Sequence, residues 1–440
     1  MIDELLTIAA DVVVRARKMG ATAADALAME SRSTEVSINN GIIEKLEQSE
    51  SRDIGLRVFV GESSAIISGS VFDAVSLDKL VERVIAMAKL APPDPFAGLA
   101  DASLLATDVP DLDLLSPDEI TAAQLQSMAE RVEAMALAVP GVTKSSGAGA
   151  SSSHGGFGLV TSNGFAKGYA RNGVGMSVSV VAGEGTGMER DYDGHGATYL
   201  ADLESVEKIG TTAGERAVKR LNPRKLNSQS VPIIYDRRVA TSLVSHCLNA
   251  INGAAIARGT SFLKGDLGKQ LFRERINIVE DPLRKRGSSS RPFDGEGLPT
   301  QRRNIIDKGI LTNWILDLRS ARKLNLSPTG QGSRGGPSTS NIYMEAGDET
   351  PDAMVRSLKK GLLVTEFIGS TINPVTGDYS RGASGYWIEN GEIVYPVSEI
   401  TIGGNLREMF KSMMPANDLI FRGSFSVPSC LVEGMTIAGK

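Results

Sequence analysis

Residues 36–60, VSINNGIIEKLEQSESRDIGLRVFV, contain the pattern that decides the fold. Asn40-Gly41 favours a tight hairpin turn, because both residues tolerate a positive φ angle. Beyond this turn, apolar residues recur at every second position: Ile54, Leu56, Val58 and Val60. A period of two places these side chains on one face of a strand. The stretch therefore predicts an antiparallel sheet with one buried face.

Helical patterns surround this sheet in the first half of the chain, at residues 1–20, 76–90, 116–138 and 202–221. Ser76 is the expected cap of the second helix, and Ser116-Pro117-Asp118-Glu119 resembles a capping box that begins the third. The prolines of APPDPFAGLAD interrupt the pattern, because proline lacks the backbone N–H that helices and sheets need.

Between residues 141 and 196, short alternating runs are separated by Asn163-Gly164, Asn172-Gly173 and Asp193-Gly194. These dipeptides predict strands joined by tight turns. We therefore assign residues 1–222 to an N-terminal α+β domain with a linker-like break near residues 91–115.

Residues 223–440 carry mainly strand patterns. A helix should begin at Asp236 and stop at Asn252-Gly253 in a left-handed conformation. Hairpin turns are expected at 307–309 and 390–391, and a further helix should run from Thr350 to Gly361. Regular β-α-β alternation is missing, which argues against a doubly wound sheet. We predict an α+β fold in which an N-terminal region combines an antiparallel sheet with long helices. A mainly antiparallel, barrel-like β domain with a few helices should follow.

Composition narrows the class of protein. The 440 residues are 41% apolar and 22% charged, with a formal net charge of -5, which is typical of a folded protein. No basic cluster contains interleaved aromatic residues, so nucleic-acid binding is not expected. No apolar run reaches the roughly 20 residues that span a bilayer. The two cysteines and the acidic N-terminus fit a cytoplasmic protein without a disulfide framework or signal peptide.

Local motifs indicate no complete catalytic set. His246 has no strong metal ligand at helical spacing, and we interpret it as a partly buried, hydrogen-bonded histidine. The glycine-rich stretches at 147–158, 183–187 and 330–336 are interpreted as turns rather than phosphate loops. The serines of 151–153 lack a G-x-S-x-G context. Asp294 and Glu296 could act as acid and base, but a glycine-containing turn favours solvated loop charges.

Longer motifs carry a family resemblance. The segments GIIEKLEQSESRDIGLRVFVG, FDGEGLPTQRRNIIDKGIL, NPVTGDYSRGASGYWIENGEIVYPVSEITIGGN and SVPSCLVEGMTIAG resemble the TldD/PmbA family, once called modulators of DNA gyrase. The resemblance runs from about residue 20 to the end of the chain. It implies a cytosolic metalloprotease of two related subunits that acts on small or unfolded peptides, including peptide maturation and antitoxin degradation. In that family the TldD-type subunit carries H-E-x-x-x-H and a cysteine that hold zinc.

The same resemblance implies that the zinc site is degenerate here, as in the PmbA/TldE-type subunits. His246 takes the first-histidine position, Cys247 replaces the glutamate and Ile251 replaces the second histidine. The expected third-ligand segment, ANDLIFRGSF, has no cysteine, and Cys430 lies downstream of it. Without the glutamate base and with one imidazole, zinc chemistry cannot proceed. No cofactor is therefore expected in this chain, and zinc is expected in a TldD-type partner.

The resemblance also implies a partner and a class of substrate. The expected partner is a TldD-type catalytic subunit, and the isolated chain can form a homodimer because related surfaces are self-complementary. Peptide substrates could bind by strand addition to an exposed sheet edge. The polar loop Gly377-Asp378-Tyr379-Ser380-Arg381 is the candidate cavity-lining segment, although a plain surface turn is an equal alternative. Two other functions stay open: a non-proteolytic binding protein for gyrase or a toxin–antitoxin system, and an autonomous, metal-independent homodimeric hydrolase.

Overall fold

The computed structural model describes residues 1–439, apart from the side chain of Ser370. It confirms the α+β class, with a six-stranded antiparallel sheet in the first half and a closed five-stranded barrel in the second. The first half contains α1 (Ile2–Lys18), β1 (Ala23–Asn39), β2 (Ile42–Val60), β3 (Ser63–Gly69), α2 (Ala74–Leu90), α3 (Ala122–Leu137), β4 (Val142–Thr161), β5 (Ala166–Ala182), β6 (Glu189–Ala197) and α4 (Val206–Lys219).

The second half begins with β7 (Gln229–Tyr235), α5 (Arg237–Ala250), α6 (Gly253–Arg258), β8 (Ile278–Glu280), β9 (Arg303–Asp307), β10 (Ile310–Leu311), α7 (Leu318–Leu324), β11 (Gly332–Ser333), β12 (Gly336–Pro337) and β13 (Ile342–Met344). It continues with α8 (Pro351–Ser357), β14 (Lys360–Ile372), β15 (Asp378–Glu389), β16 (Glu392–Asn405), α9 (Leu406–Ser412), β17 (Met414–Pro415), β18 (Phe425–Ser426) and β19 (Cys430–Ala438).

The large sheet has the strand order β3-β2-β1-β4-β5-β6. The predicted hairpin between β1 and β2 is present, and Asn40 and Gly41 adopt φ angles of 50° and 75°. The residues of β1 that the four helices of the first half bury, from Ala24 to Ile38, all lie at even positions. Even positions of a strand share one face, so all four helices cover the same face of the sheet. Helices α1 and α2 cover one end of this face, and α3 and α4 cover the other.

The glycines of 147–158 are not turn residues, which corrects the sequence interpretation. They lie within β4, where the sheet passes close beneath α1. A Cβ atom at Gly156 would meet the Met1 side chain at 2.8 Å, and one at Gly158 would meet Leu6 at 2.9 Å. Small residues are needed here because the helix lies directly on the strand.

Three further sequence signals were wrong. Asn172-Gly173 lies inside β5 and pairs with β4, and Asp193-Gly194 lies inside β6 and pairs with β5. Strand pairing outweighs the turn preference of both dipeptides. Helix α3 begins after Thr121, which forms the capping box with Gln124, and not at Ser116. The Ser116 carbonyl instead accepts a hydrogen bond from the Asn172 side chain at 2.8 Å, which ties this segment to the sheet.

The barrel of the second half closes through strands β16-β15-β14-β7-β19, with β19 pairing back onto β16. Strands β7 and β14 run parallel, and the other neighbouring pairs run antiparallel. Helix α5 follows β7 directly and contributes Leu243, Val244 and Cys247 to the same core as the barrel residues. No helix within residues 1–439 is long and apolar enough to cross a membrane.

Candidate functional site

Helix α5 carries the residues at which the family's metal site is expected. Its first turn is capped by Asp236, whose side chain accepts a hydrogen bond from the Arg238 backbone N–H at 2.9 Å. The helix ends near residue 251 as predicted, but not by a left-handed residue. Asn252 has a φ of −62° and caps α6 instead, so a second helix begins where a stop was expected.

His246 lies half-buried on α5, with its ring centroid 5.9 Å from that of Tyr379. Its Nε2 atom is buried and has no hydrogen-bond partner among the described residues, so the interpretation as a fully hydrogen-bonded histidine is wrong. Burial, together with the positive charge of Arg381, lowers the pKa of His246 to about 4. The imidazole is therefore neutral at pH 7.

One tyrosine, Tyr379, lies beside this histidine, and a second, Tyr235, lies beside Tyr379. Tyr235 ends β7 with 0% of its surface exposed, and Tyr379 in β15 is 2% exposed. The two phenols interact with each other and Tyr379 interacts with Arg381, but neither hydroxyl makes a well-directed hydrogen bond within residues 1–439. Burial raises the pKa of Tyr235 well above its usual value, and the neighbouring Tyr379 phenol adds to that increase. Burial raises the pKa of Tyr379 to about 12, so both phenols keep their protons at neutral pH.

Arg381 supplies a positive charge to the same place. Its guanidinium carbon lies 4.0 Å from the centre of the Phe367 ring, and that ring lies 6.0 Å from the Tyr235 ring. Its Nε donates a hydrogen bond to the Gly369 carbonyl at 3.1 Å. No described Asp or Glu forms an ion pair with it. We call the four residues Tyr235, His246, Tyr379 and Arg381 the donor cluster.

The segment Gly377–Arg381 is mostly strand rather than loop, which corrects its predicted conformation. Only Gly377, with φ of 80°, lies in a turn, and β15 begins at Asp378. Because side chains alternate along a strand, Tyr379 and Arg381 lie on one face while Asp378 and Ser380 are exposed. Thus the structure brings two of these five residues to His246 and leaves the others outside the cluster.

The remaining positions do not supply metal ligands at this place. Cys247 and Ile251 are both 0% exposed in the core, and burial raises the pKa of the Cys247 thiol to about 12. Cys430 is also buried, and its thiol donates to the Pro428 carbonyl at 3.3 Å. No group of three His, Cys, Asp or Glu side chains in residues 1–439 could hold a metal ion. One neutral imidazole with buried protonated thiols and phenols does not fit zinc.

The segment expected to carry a third ligand instead connects the two halves of the chain. Arg422 forms hydrogen bonds with both carboxylate oxygens of Asp193 in β6, at 3.0 and 3.1 Å, and an ion pair with Glu204. A cavity of ≈ 660 Å³ lies between this segment and the helix-free face of the large sheet. Serine and glycine residues such as Ser151, Ser153 and Gly175 line it.

Asp294 and Glu296 are buried, with 2% and 7% of their surfaces exposed, so the expectation of solvated loop charges was wrong. The reason is local: Asp294 accepts three backbone N–H groups, from Glu296, Leu298 and Gly332, and Glu296 accepts the N–H of Leu318. Carboxylates that hold loop backbones in this way can remain inside the fold.

Glu296 belongs to a second buried polar group, in which Asp25 of β1 forms ion pairs with Arg57 of β2 and with Arg334. Burial, with Asp294 as the next cause, raises the pKa of Glu296 to about 8. We call Asp25, Arg57, Glu296 and Arg334 the ion-pair cluster. It joins the large sheet to loops of the second half.

Fold and site together define a class of α+β proteins with two parts. One part is a half-barrel sheet, and the other is a closed barrel with a helix that carries buried polar side chains. Family models for the PmbA/TldA metallopeptidase match this chain over residues 24–88 (domain 1), 115–221 (central domain) and 228–439 (C-terminal domain). The chain belongs to the PmbA/TldD family.

Individual relatives agree with this assignment. The chain is 37% identical to a protein named metalloprotease PmbA from Escherichia coli, over 93% of this chain and 91% of that one. It is also 37% identical to a PmbA homologue from Haemophilus influenzae, over 90% and 88% of the two chains. The crystal structure of a protein proposed to modulate DNA gyrase, from Bacteroides thetaiotaomicron, matches with a TM-score of 0.93 and 29% identity over 100% of both chains. TldE from Thermococcus kodakarensis shares the fold, with a TM-score of 0.86 and 20% identity over 98% and 100%.

Proposed function

We propose that this chain is the non-catalytic, PmbA/TldE-type subunit of a cytosolic peptidase whose zinc is held by a TldD-type partner. The proposal rests on one observation: the only imidazole on α5 is the neutral one of His246, while Cys247 and Ile251 are buried in the core. Catalytic zinc in proteins is held by three protein ligands and needs a base for its bound water. The donor cluster offers neither.

The partner is expected to use the surface of the large sheet. Strand β3 pairs only with the part of β2 from Ile54 onward, so residues 42–53 of β2 leave one edge without a described neighbour. Ile42, Ile43 and Leu46 are exposed along this stretch. A long free edge with exposed apolar side chains is a surface that another chain can cover. Two relatives are named TldD homologue and are 26–27% identical to this chain. They represent the subunit class that the proposed pair requires.

Small or unfolded peptides are the proposed substrates of the assembled enzyme. An extended peptide can pair with a sheet edge through its backbone, which makes recognition independent of sequence. The ≈ 660 Å³ cavity on the face of the sheet supports peptide binding, because its serine hydroxyls and small glycines give an extended backbone room and hydrogen-bonding groups. This chain would then line the cavity and hold the peptide while its partner cleaves the peptide.

The test compares the purified chain alone with the chain mixed with a TldD-type homologue that carries H-E-x-x-x-H. We expect no stoichiometric zinc and no peptide cleavage by the chain alone, and chelator-sensitive cleavage by the mixture. A partner in which the glutamate of that motif is changed to glutamine is the matched control and should give an inactive mixture. Stoichiometric zinc in the unaccompanied chain, together with chelator-sensitive hydrolysis, would overturn the proposal.

The same experiment separates the two other functions. An autonomous homodimeric hydrolase would cleave peptides alone, and chelation would not stop it. A binding protein for gyrase or a toxin system would form a stoichiometric complex with its target without cleavage. The name of the Bacteroides structure is the observation that keeps the gyrase reading as a candidate.

A further inference from the structure

We propose that the donor cluster of Tyr235, His246, Tyr379 and Arg381 binds one carboxylate group. The source that we favour is the C-terminal carboxylate of a bound peptide, and this choice of source rests on the proposed function. The site itself does not depend on it, because the site follows from the hydrogen-bonding groups that the fold leaves open.

The hydroxyls of Tyr235 and Tyr379 and the Nε2 atom of His246 are all buried, and none makes a well-directed hydrogen bond within residues 1–439. The two phenols interact with each other, and Tyr379 also interacts with the Arg381 guanidinium. Buried polar groups in folded proteins are almost always hydrogen-bonded, so these groups require an explanation. A phenol oxygen accepts as well as donates, but the Nε2–H tautomer of imidazole and the guanidinium add donors only. The cluster therefore has more donors than acceptors.

Arg381 contacts the Phe367 ring, one carbonyl oxygen and the Tyr379 phenol. No carboxylate within residues 1–439 forms an ion pair with it, so its positive charge has no counter-charge there. A metal cation is disfavoured beside an arginine and two protonated phenols. An anion is favoured, and one guanidinium matches a single negative charge. Because the guanidinium is planar and donates through two parallel N–H groups, a carboxylate fits it better than a spherical ion.

Tyr235 and Tyr379 are buried, whereas His246 and Arg381 are half-buried. A carboxylate could therefore reach the cluster from the side of the imidazole and the guanidinium, with the two phenols beneath it. The choice of a peptide C-terminus over a side-chain carboxylate rests on the proposed function.

The experiment titrates the full chain alone with three probes: tetra-alanine as the free acid, tetra-alanine as the C-terminal amide, and acetate. Binding is measured by calorimetry and by the imidazole NMR signals, which the three histidines of the chain make simple to assign. We expect the free acid to bind and to shift the His246 signal, and the amide to bind at least about tenfold more weakly because it carries no charge for Arg381.

Variants locate the site. Arg381→Gln should weaken binding of the free acid about tenfold or more, and Tyr379→Phe should weaken it several-fold. The matched control is Arg224→Gln, because Arg224 also lies over an aromatic ring, 4.4 Å from the centre of Tyr395, but outside the cluster. It should leave binding unchanged.

Each outcome decides the proposal. Equal binding of acid and amide, or no effect of Arg381→Gln, would overturn the carboxylate site. Acetate that binds as tightly as the peptide acid would keep the site but assign it to small free carboxylates, which overturns the peptide source alone. Because the titration uses no partner subunit, its result is independent of whether the mixed subunits cleave peptides.

Discussion

Two buried polar groups in this protein differ in how their charges are compensated. In the ion-pair cluster, Asp25 lies between Arg57 and Arg334, so opposite charges meet inside the fold. In the donor cluster, Arg381 meets neutral groups only: the Phe367 ring, the Gly369 carbonyl, the Tyr379 phenol and the neutral His246 imidazole. The first arrangement takes its counter-charge from within the chain and joins the two halves, although the side-chain nitrogens of Arg334 make no well-directed hydrogen bond within residues 1–439. The second leaves its partner to be supplied from outside, which is the mark of a binding site rather than of a structural contact.

The largest effect should come from breaking the ion-pair cluster. Asp25→Asn keeps the side-chain shape but leaves two arginines without their shared carboxylate at a position that is 1% exposed. Removing one partner of a buried ion pair typically costs about 3–5 kcal/mol. We therefore expect the free energy of unfolding, measured in urea, to fall by that amount.

The matched control is Asp348→Asn, which breaks the surface pair between Arg275 and Asp348, whose side chains are 85% and 80% exposed. It should cost about 0.5 kcal/mol or less. If Asp25→Asn were equally mild, the ion-pair cluster would not hold the two halves together, and the contrast between the clusters would fail.

A smaller, pH-dependent effect should come from Glu296 in the same cluster. Its pKa is raised to about 8, so the folded state keeps a proton that the unfolded chain loses above about 4.3. The stability that this proton provides is fully present below pH 4.3 and is lost as the pH rises to 8. Glu296→Gln cannot lose the proton, so the variant should be more stable than the natural chain at pH 8.5, by about 1–3 kcal/mol.

At pH 4 the two proteins should have the same stability, because Glu296 is then protonated in both the folded and the unfolded chain. Unfolding curves in urea at the two pH values measure the difference. A variant that is less stable at pH 8.5 would show that Arg57 and Arg334 hold Glu296 in its ionised form, and the cluster would then contain one more ion pair.

Sequence patterns predicted the fold where local and tertiary preferences agree. The alternation from Ile54 to Val58 and the Asn40-Gly41 turn both matched the sheet, because burial on one face and the hairpin turn demand the same residues. The predictions failed where tertiary contacts decide. Asn172-Gly173 lies in mid-strand because β4 pairs with both residues, and Ser116 does not cap a helix because Asn172 binds its carbonyl.

The donor cluster could be predicted only in part. His246 and the segment from Gly377 to Arg381 were singled out by family resemblance and polarity, but nothing in the sequence shows that they meet. Tyr235 was missed, because it ends an apolar strand and resembles any core aromatic residue. The burial of Asp294 and Glu296 was missed for a related reason: the backbone N–H groups that hold them come from loops that only the folded chain brings together.

The smallest expected effect tests the open cluster directly. Tyr379→Phe removes a buried hydroxyl that makes no well-directed hydrogen bond within residues 1–439, so folding should lose nothing and can gain up to about 1 kcal/mol, because no desolvated hydroxyl remains. Ser261→Ala is the contrasting control, since the buried Ser261 hydroxyl donates to the Ala250 carbonyl and accepts from the Leu263 N–H. That variant should lose about 1–2 kcal/mol in the same urea titration. If Tyr379→Phe instead cost as much as Ser261→Ala, the Tyr379 hydroxyl would already be satisfied in the free protein. Tyr379 would then have no open hydrogen-bond donor for a carboxylate, and the contrast between the two clusters would fail at this residue.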